Sequence, residues 1–375
     1  MTKIEEKIRV KLREREDRSY DIIIGSNILD KVGDIVRSLN TGKDIFIITD
    51  RKVGRLYAER VTKSFKSAGF TGIGGIQIAE GESSKTWSMY GKILEKIHDF
   101  DKYQEKKIVI VTLGGGVIGD MGGFAAGTYK RGVNYVQIPT TLLGQVDCGM
   151  GGKVGVNLKE AKNLLGLFWQ PKLVFMDLAV LKTLDSREIK SGLAEIIKYG
   201  VITDPNLFGY VEKHLDRILR CDFSCLLHII LRCVKIKAKI TEIDERDEKD
   251  IRIILNFGHT IGHAIESASG YKVYKHGEAI SIGMLCAGEI AGRLGLFSSK
   301  DFSRLDILIG RAGLPKEIKK CSVENIMKSM RHDKKFIDGV NRFVLPVKIG
   351  RVKIVKDIRE DLVRDVIKKR MKRQI

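Results

Sequence analysis

Proline is nearly absent: the chain has five in 375 residues, and no Pro-rich linker, low-complexity tract or internal repeat divides it. A chain of this length is expected to hold two domains, and without a linker they should abut directly. Cysteine is sparse as well. Cys148, Cys221, Cys225, Cys233, Cys286 and Cys321 form no C-x-x-C pair and no framework spacing, which excludes a disulfide scaffold and leaves reduced thiols. Long apolar runs are missing too. Met1 to Tyr20 is filled with Lys, Arg and Glu and carries no apolar core of signal-peptide length, so a cytoplasmic location is expected. The weakly polar stretch from Ile108 to Gly127 holds seven glycines and Asp120, which suits a strand, a tight turn and a helix rather than a membrane span.

Aromatics make up 7% of the residues and do not interleave with the basic runs as stacking platforms would. The net charge of +20, from 67 basic and 47 acidic residues, is spread along the chain, with local concentrations only at Lys316 to Lys320 and Lys368 to Arg373. Nucleic acid is therefore not the expected partner; a small anionic substrate and surface solubility account for the charge. What remains is 43% hydrophobic and 30% charged residues, the balance of a globular protein.

Periodicity divides the chain. Tyr20–Ile24, Asp44–Thr49, Gly75–Ile78, Ile108–Leu113 and Tyr135–Ile138 read as strands, and Lys52–Ala68 and Ser84–His98 as helices between them. Strands alternating with helices predict a parallel α/β layer. After about Thr183 the helical period dominates, over Ser186–Tyr199, Asp204–Leu219, Cys225–Ile243, His259–Ser267, Glu278–Gly292 and Asp301–Ala312, with no convincing strand until Arg342–Val347. The expected fold is an α/β nucleotide-binding domain over residues 1–183 followed by a mostly α-helical metal- and substrate-binding domain over 184–375.

Two constellations carry chemistry. His259, His263 and His276 put three of the seven histidines within eighteen residues, and His259 and His263 share a helix face. Imidazoles so placed suit zinc or a neighbouring divalent ion, with His276 returning from a loop or a second helix. The second is Gly114-Gly115-Gly116-Val117-Ile118-Gly119-Asp120, which follows a strand and opens a helix. Backbone N–H groups at such a helix start favour a pyrophosphate. The dinucleotide fingerprint also asks for an acid about 20 residues on. Here the following strand ends in Pro139-Thr140-Thr141, and the good strand-end acid is Asp50, upstream.

Pro139-Thr140-Thr141-Leu142-Leu143, Gln145-Val146-Asp147, Gly151-Gly152-Lys153-Val154-Gly155-Val156-Asn157, Lys162-Asn163-Leu164, Ser191-Gly192-Leu193-Ala194-Glu195 and Leu255 to Ala264 together resemble the 3-dehydroquinate synthases of the sugar phosphate cyclase family. The likeness runs in order from about Asp44 to Gly350. It implies an NAD-dependent enzyme with a divalent metal, Zn2+ or Co2+, generally homodimeric, that converts 3-deoxy-D-arabino-heptulosonate 7-phosphate into 3-dehydroquinate and phosphate. The chemistry implied is transient oxidation at C5, phosphate elimination, re-reduction, ring opening and aldol closure.

By the same resemblance the metal is held by Glu195, His259 and His276, while His263 stands beside the substrate and organises proton movement. Arg252 and Lys237 meet the substrate carboxylate. Lys153, Asn163 and one or both of Lys334 and Lys335 bind the phosphate, with Arg131 reaching over from a second subunit. Asp147, Lys198 and Asn256 complete the hydroxyl and carboxylate contacts. Toward NAD, Asp50 meets a ribose, Glu82 and Lys85 lie on the adenosine side, Gly115, Gly116 and Val117 cradle phosphates, and Asp120 holds the carboxamide. Thr140, Thr141, Lys162, Thr183 and Leu184 line the remainder. Cys148 and Met150 depart from the small residues common in relatives. The alternatives are a cyclase of secondary metabolism acting on a sugar phosphate without a carboxylate, against which Arg252 and Asn256 argue, and a metal-dependent polyol dehydrogenase of the glycerol dehydrogenase type, which needs no phosphate clamp.

Overall fold

The computed structural model describes residues 17–102, 107–158, 161–331 and 341–371. Six strands form one sheet: β1 (Asp21–Gly25), β2 (Asp44–Asp50), β3 (Gly72–Ile78), β4 (Ile108–Gly114), β5 (Asn134–Pro139) and β8 (Leu173–Asp177), in the order β1-β8-β5-β4-β2-β3. Every pairing is parallel. Such a sheet needs both faces covered, and β4 is buried along its whole length. Alternate side chains feed two apolar layers: Ile45, Ile47, Val109 and Val111 on one face, Phe46, Ile48, Ile108 and Ile110 on the other.

Crossovers come from α1 (Val32–Ser38), α4 (Trp87–Asp101), α5 (Gly116–Thr128) and the segment after β2. That segment, expected as one helix, is a single turn α2 (Arg51–Val53), a π turn over Gly54–Ala58, and α3 (Glu59–Ser67). The strand β8 and the antiparallel hairpin of β6 (Lys153–Leu158) and β7 (Ala161–Phe168) were not anticipated from the periodicity.

The chain then becomes helical: α6 (Ser186–Ile202), α7 (Pro205–Leu219), α8 (Phe223–Ile243), α9 (His259–Ala268), α10 (His276–Arg293), α11 (Ser299–Arg311) and α12 (Val323–Arg331). A hairpin of β9 (Arg342–Lys348) and β10 (Arg351–Lys356) and a last helix α13 (Glu360–Arg370) follow. Aspartates start the first three helices of this series. Asp185, Asp204 and Asp222 each accept a first-turn N–H, and Pro205 takes the first position of α7. Among the described residues no helix is long and apolar enough to cross a membrane.

Glycines bring α6, α9 and α10 together. A Cβ on Gly277 would lie 2.0 Å from Ser191 O on α6, and one on Gly283 would lie 2.0 Å from Gly258 O and 2.8 Å from Gly262 N. Gly277 N also donates to Ser191 Oγ at 3.0 Å. These crossings leave no room for a methyl group. Gly283→Ala is expected to destabilise the fold by about 1–3 kcal/mol through overpacking, read as a lower denaturant midpoint at unchanged slope. An unchanged midpoint would show that α9 and α10 separate at no cost.

Candidate active site

The carboxyl ends of all six strands leave one edge of the sheet, and that edge gathers most of the expected nucleotide residues. β2 continues toward β3 on one side while β4 continues toward β5 on the other, so the order reverses between β2 and β4. Ligands of open α/β sheets bind at such a switch point. Asp50 ends β2 and Gly114 ends β4, which explains how an acid upstream of the glycine turn comes to lie beside it. Asp50 caps its own helix, Oδ1 accepting from Val53 N at 2.9 Å, and burial pushes its carboxyl above the usual range.

Gly115 precedes α5 without any capping side chain, so the first N–H groups of that helix, from Gly116, Val117 and Ile118, are open to an anion. Side chains at Gly115 and Gly116 would collide with Thr141 at 2.9 Å and with Cys148 Sγ at 2.8 Å. Thr140 is buried, and its Oγ1 hydrogen-bonds to no described residue, as expected of a hydroxyl that meets a ligand. Thr183 Oγ1 lies 2.6 Å from the Tyr57 hydroxyl, and Leu184 follows it at the same edge. The uncapped helix start and the orphaned threonine fit a dinucleotide.

Lys85, 2% exposed, binds both Asp120 and Asn163 through its ammonium. Three residues expected at the adenosine, the carboxamide and the phosphate thus meet at one charge. Asn157 ties the β6–β7 hairpin to the same place: its Nδ2 donates to Glu82 Oε1 at 2.8 Å, and its Oδ1 accepts from Asn163 N at 2.8 Å. Asn163 holds a left-handed φ of 54°, a conformation that asparagine tolerates.

The histidines converge with Glu195. Ligand atoms of His259, His263 and His276 lie within 4.8 Å of one another. Glu195, on α6, is fully buried; its Oε1 sits 3.5 Å from His259 Nε2 and 3.4 Å from His276 Nε2. That oxygen makes no hydrogen bond to any described residue. A buried carboxylate oxygen left without a donor is costly unless a cation occupies the gap. Each imidazole is oriented from behind. His259 Nδ1 lies 3.1 Å from Phe257 O and His276 Nδ1 lies 3.3 Å from Glu266 Oε2, which leaves both Nε2 atoms facing Glu195. His276 is the first residue of α10, so it comes from a second helix rather than a loop. Burial alone would lower its pKa, but the Glu266 carboxylate and the neighbouring Glu195 carboxylate raise it to about 9. The donor set of one carboxylate and two imidazoles, with a third imidazole adjacent, fits a divalent metal such as zinc.

Of the expected substrate cations, Lys198 touches this centre directly and Lys237 reaches it through Asp147. Asp147, in a π turn over Gly144–Cys148, accepts from Tyr199 Oη at 2.8 Å, binds the Lys237 ammonium and lies 3.8 Å from Lys198 Nζ. Burial disfavours its charge, yet Lys198 and Lys237 hold the carboxyl well below the usual range. Lys198 also pairs with Glu195. Burial would strip its proton; Asp147 and Glu195 reverse that and raise its pKa.

Arg252 is 3% exposed, and its bonds go to backbone carbonyls: Glu245 O at 2.7 Å and Gly151 O at 3.4 Å. Its Nε hydrogen-bonds to no described residue, and no described carboxylate pairs with it. The close approach needs Gly151, whose φ of 89° is left-handed and whose missing Cβ would lie 3.0 Å from Arg252 Nη2. Lys153 pairs with Asp247 at 2.5 Å, and burial lowers its pKa. Asn256 is half-buried at the end of the turn that carries Arg252. Arg131 is exposed in a run of left-handed residues, Lys130 at 49°, Arg131 at 65° and Gly132 at 122°. Lys334 and Lys335 lie outside the described residues.

Four residues escaped the sequence reading: Tyr199, Glu266, Asn157 and Asp247. Glu266 had a usable signal, since it stands three residues after His263 on the same helix. The partners of the other three are 52 to 94 positions away and no spacing announces them: Tyr199 with Asp147 across 52, Asn157 with Glu82 across 75, Asp247 with Lys153 across 94.

The chain matches known proteins over most of its length. Residues 75–191 match the 3-dehydroquinate synthase N-terminal family and residues 192–336 the 3-dehydroquinate synthase C-terminal family. A 3-dehydroquinate synthase of Desulforamulus reducens is 47% identical over 345 residues, covering 92% of this chain and 95% of the relative. Among solved structures, a 2-epi-5-epi-valiolone synthase from Streptomyces hygroscopicus subsp. jinggangensis 5008 with NAD+ and Zn2+ bound is similar at TM-score 0.86 and 27% identity, covering 96% of this chain and 98% of that one. A 2-deoxy-scyllo-inosose synthase complexed with carbaglucose-6-phosphate, NAD+ and Co2+ is similar at TM-score 0.85 and 27% identity, covering 95% and 98%. With its switch-point glycine turn, its Glu195–His259–His276 centre and these matches over most of its length, the chain belongs to the 3-dehydroquinate synthase family.

Proposed function

We propose that this chain converts 3-deoxy-D-arabino-heptulosonate 7-phosphate into 3-dehydroquinate and phosphate, with NAD at the switch point and a divalent ion, Zn2+ or Co2+, between Glu195, His259 and His276. The observation that carries the reading is Arg252: a buried guanidinium that, among the described residues, bonds only to backbone carbonyls suits a substrate with a carboxylate. It favours the heptulosonate over a sugar phosphate that lacks one.

NAD supplies a reversible hydride acceptor, and the ion polarises the substrate oxygens beside it. The chain's own residues do the rest. Arg252 and Lys237 grip the carboxylate, with Asn256 alongside. Lys153 and Asn163 hold the phosphate from the hairpin and, with one or both of Lys334 and Lys335 and a second copy's Arg131, place it for departure. His263, half-buried next to the residues that would hold the ion, organises proton movement through water as the C6 proton is lost and phosphate departs. Asp147 and Lys198 meet substrate hydroxyls beside Lys237 and Glu195, and Asp120 orients the carboxamide. The domain boundary lies at Thr183, and the working unit is a cytoplasmic homodimer.

Incubation with the heptulosonate phosphate, substoichiometric NAD+ and Zn2+ tests the reading. Phosphate should be released over many turnovers with no net growth of NADH absorbance. Sustained NADH accumulation would instead identify a polyol dehydrogenase, and turnover of a sugar phosphate without a carboxylate at equal efficiency would identify a different cyclase.

A further inference from the structure

Glu266 is a carboxylate with two occupied oxygens and no assigned task. It lies on α9, one turn beyond His263, and its side chain is 4% exposed. Oε2 faces His276 Nδ1 at 3.3 Å, and Oε1 accepts from Lys162 Nζ at 3.0 Å. Lys162 does not belong to the helical part of the fold. It lies on β7, in the hairpin that Asn157 ties to Glu82, and its ammonium comes within 4.0 Å of Glu82 Oε1. A continuous chain of charges therefore runs from the nucleotide edge through Lys162 and Glu266 to His276 and Glu195.

We infer that Glu266 is a positioning residue for the metal centre: it fixes His276 with Nε2 toward Glu195, and Lys162 in turn holds Glu266 in place from the hairpin beside the cofactor. The inference rests on the reading of Glu195, His259 and His276 as metal ligands. Three observations support the division of labour. His276 begins α10, where no preceding helical turn restrains its ring, so the orientation must come from a partner. A carboxylate behind a ligating imidazole raises the basicity of the nitrogen facing the metal. Glu266 is also the wrong residue for a purely structural filler, because a buried carboxylate needs a cation and hydrogen-bond donors, and the two partners it has, Lys162 and His276, both lie at the site. Lys162 thus has a second role besides lining the cofactor pocket: it neutralises the charge that orients His276.

Glu266→Gln keeps the shape and one hydrogen bond but loses the charge; Lys162→Met removes the support from the hairpin. Each purified variant, with folding checked by circular dichroism, is titrated with Zn2+ against a chromophoric chelator and with Co2+ while its visible absorption is recorded. Glu195→Gln serves as the reference for a lost ligand. Glu266→Gln should weaken Zn2+ binding roughly 10- to 100-fold, the usual loss for an outer partner of a ligating histidine, and alter the Co2+ spectrum. Lys162→Met should weaken it less, with a spectral change of the same kind. If Glu195→Gln loses the metal while Glu266→Gln binds it within a factor of about two of the parent, well under that range, the inference falls and the metal site stands. A parent that binds neither ion, or a Glu195→Gln that binds as the parent does, overturns both.

Discussion

Arg252→Ala should lower kcat/KM by roughly 10²- to 10³-fold, corresponding to about 3–4 kcal/mol, because truncating one member of a buried charge pair costs in that range. The figure refers to the pair formed with substrate, since among the described residues Arg252 bonds only to Glu245 O and Gly151 O. For the same reason its removal should disturb the fold far less than catalysis, and the denaturant midpoint of the variant separates the two. Arg252→Lys restores the charge without the planar fork and should recover only part of the loss. Kinetics near those of the parent in Arg252→Ala would refute the carboxylate assignment and reopen the case for a substrate without one.

Glu195→Gln should reduce Zn2+ affinity by more than about 100-fold, since loss of a ligand exceeds the 10- to 100-fold loss of an outer partner, and activity should fall with it. The substitution also removes one of the two carboxylates that face Lys198, leaving Asp147 as the other. A fully buried ammonium with fewer partners is expected to lose its proton more readily. The residual activity of Glu195→Gln, measured in excess metal, should therefore decline at a lower pH on the alkaline side than that of the parent. A variant that retains metal and rate would show that the three histidines alone hold the ion.

The elements that the sequence announced are those with strong periodicity or a fixed local grammar. Ile108–Gly114 reads as a buried strand because nothing in it is charged, and the glycines after it mark the turn. The helices carrying Glu195 and His259 lie where the three-to-four pattern put them. The β6–β7 hairpin gave no such signal. Its strands alternate irregularly, and its pairing slips between Val156 and Leu158. The π turns at Gly54–Ala58 and Gly144–Cys148 gave no signal either, since each spans a single turn, too short to establish a period of its own. At the site, the histidines were legible from spacing alone. Their convergence with Glu195 rests on glycine contacts between three helices, and those are set by tertiary packing rather than by any one segment.

The sheet imposes an order of assembly. β1 pairs with β8 along its whole length, from Asp21 with Leu173 to Gly25 with Asp177, and the Asp177 carboxylate accepts the backbone N–H groups of Asn27, Ile28 and Leu29. The earliest strand to leave the ribosome must therefore wait for the latest strand of the sheet, about 150 residues later. At a synthesis rate of roughly 5–20 residues per second that delay is on the order of ten seconds. During it an apolar strand remains without a neighbour, a natural point for a chaperone to act and for a truncated product to aggregate.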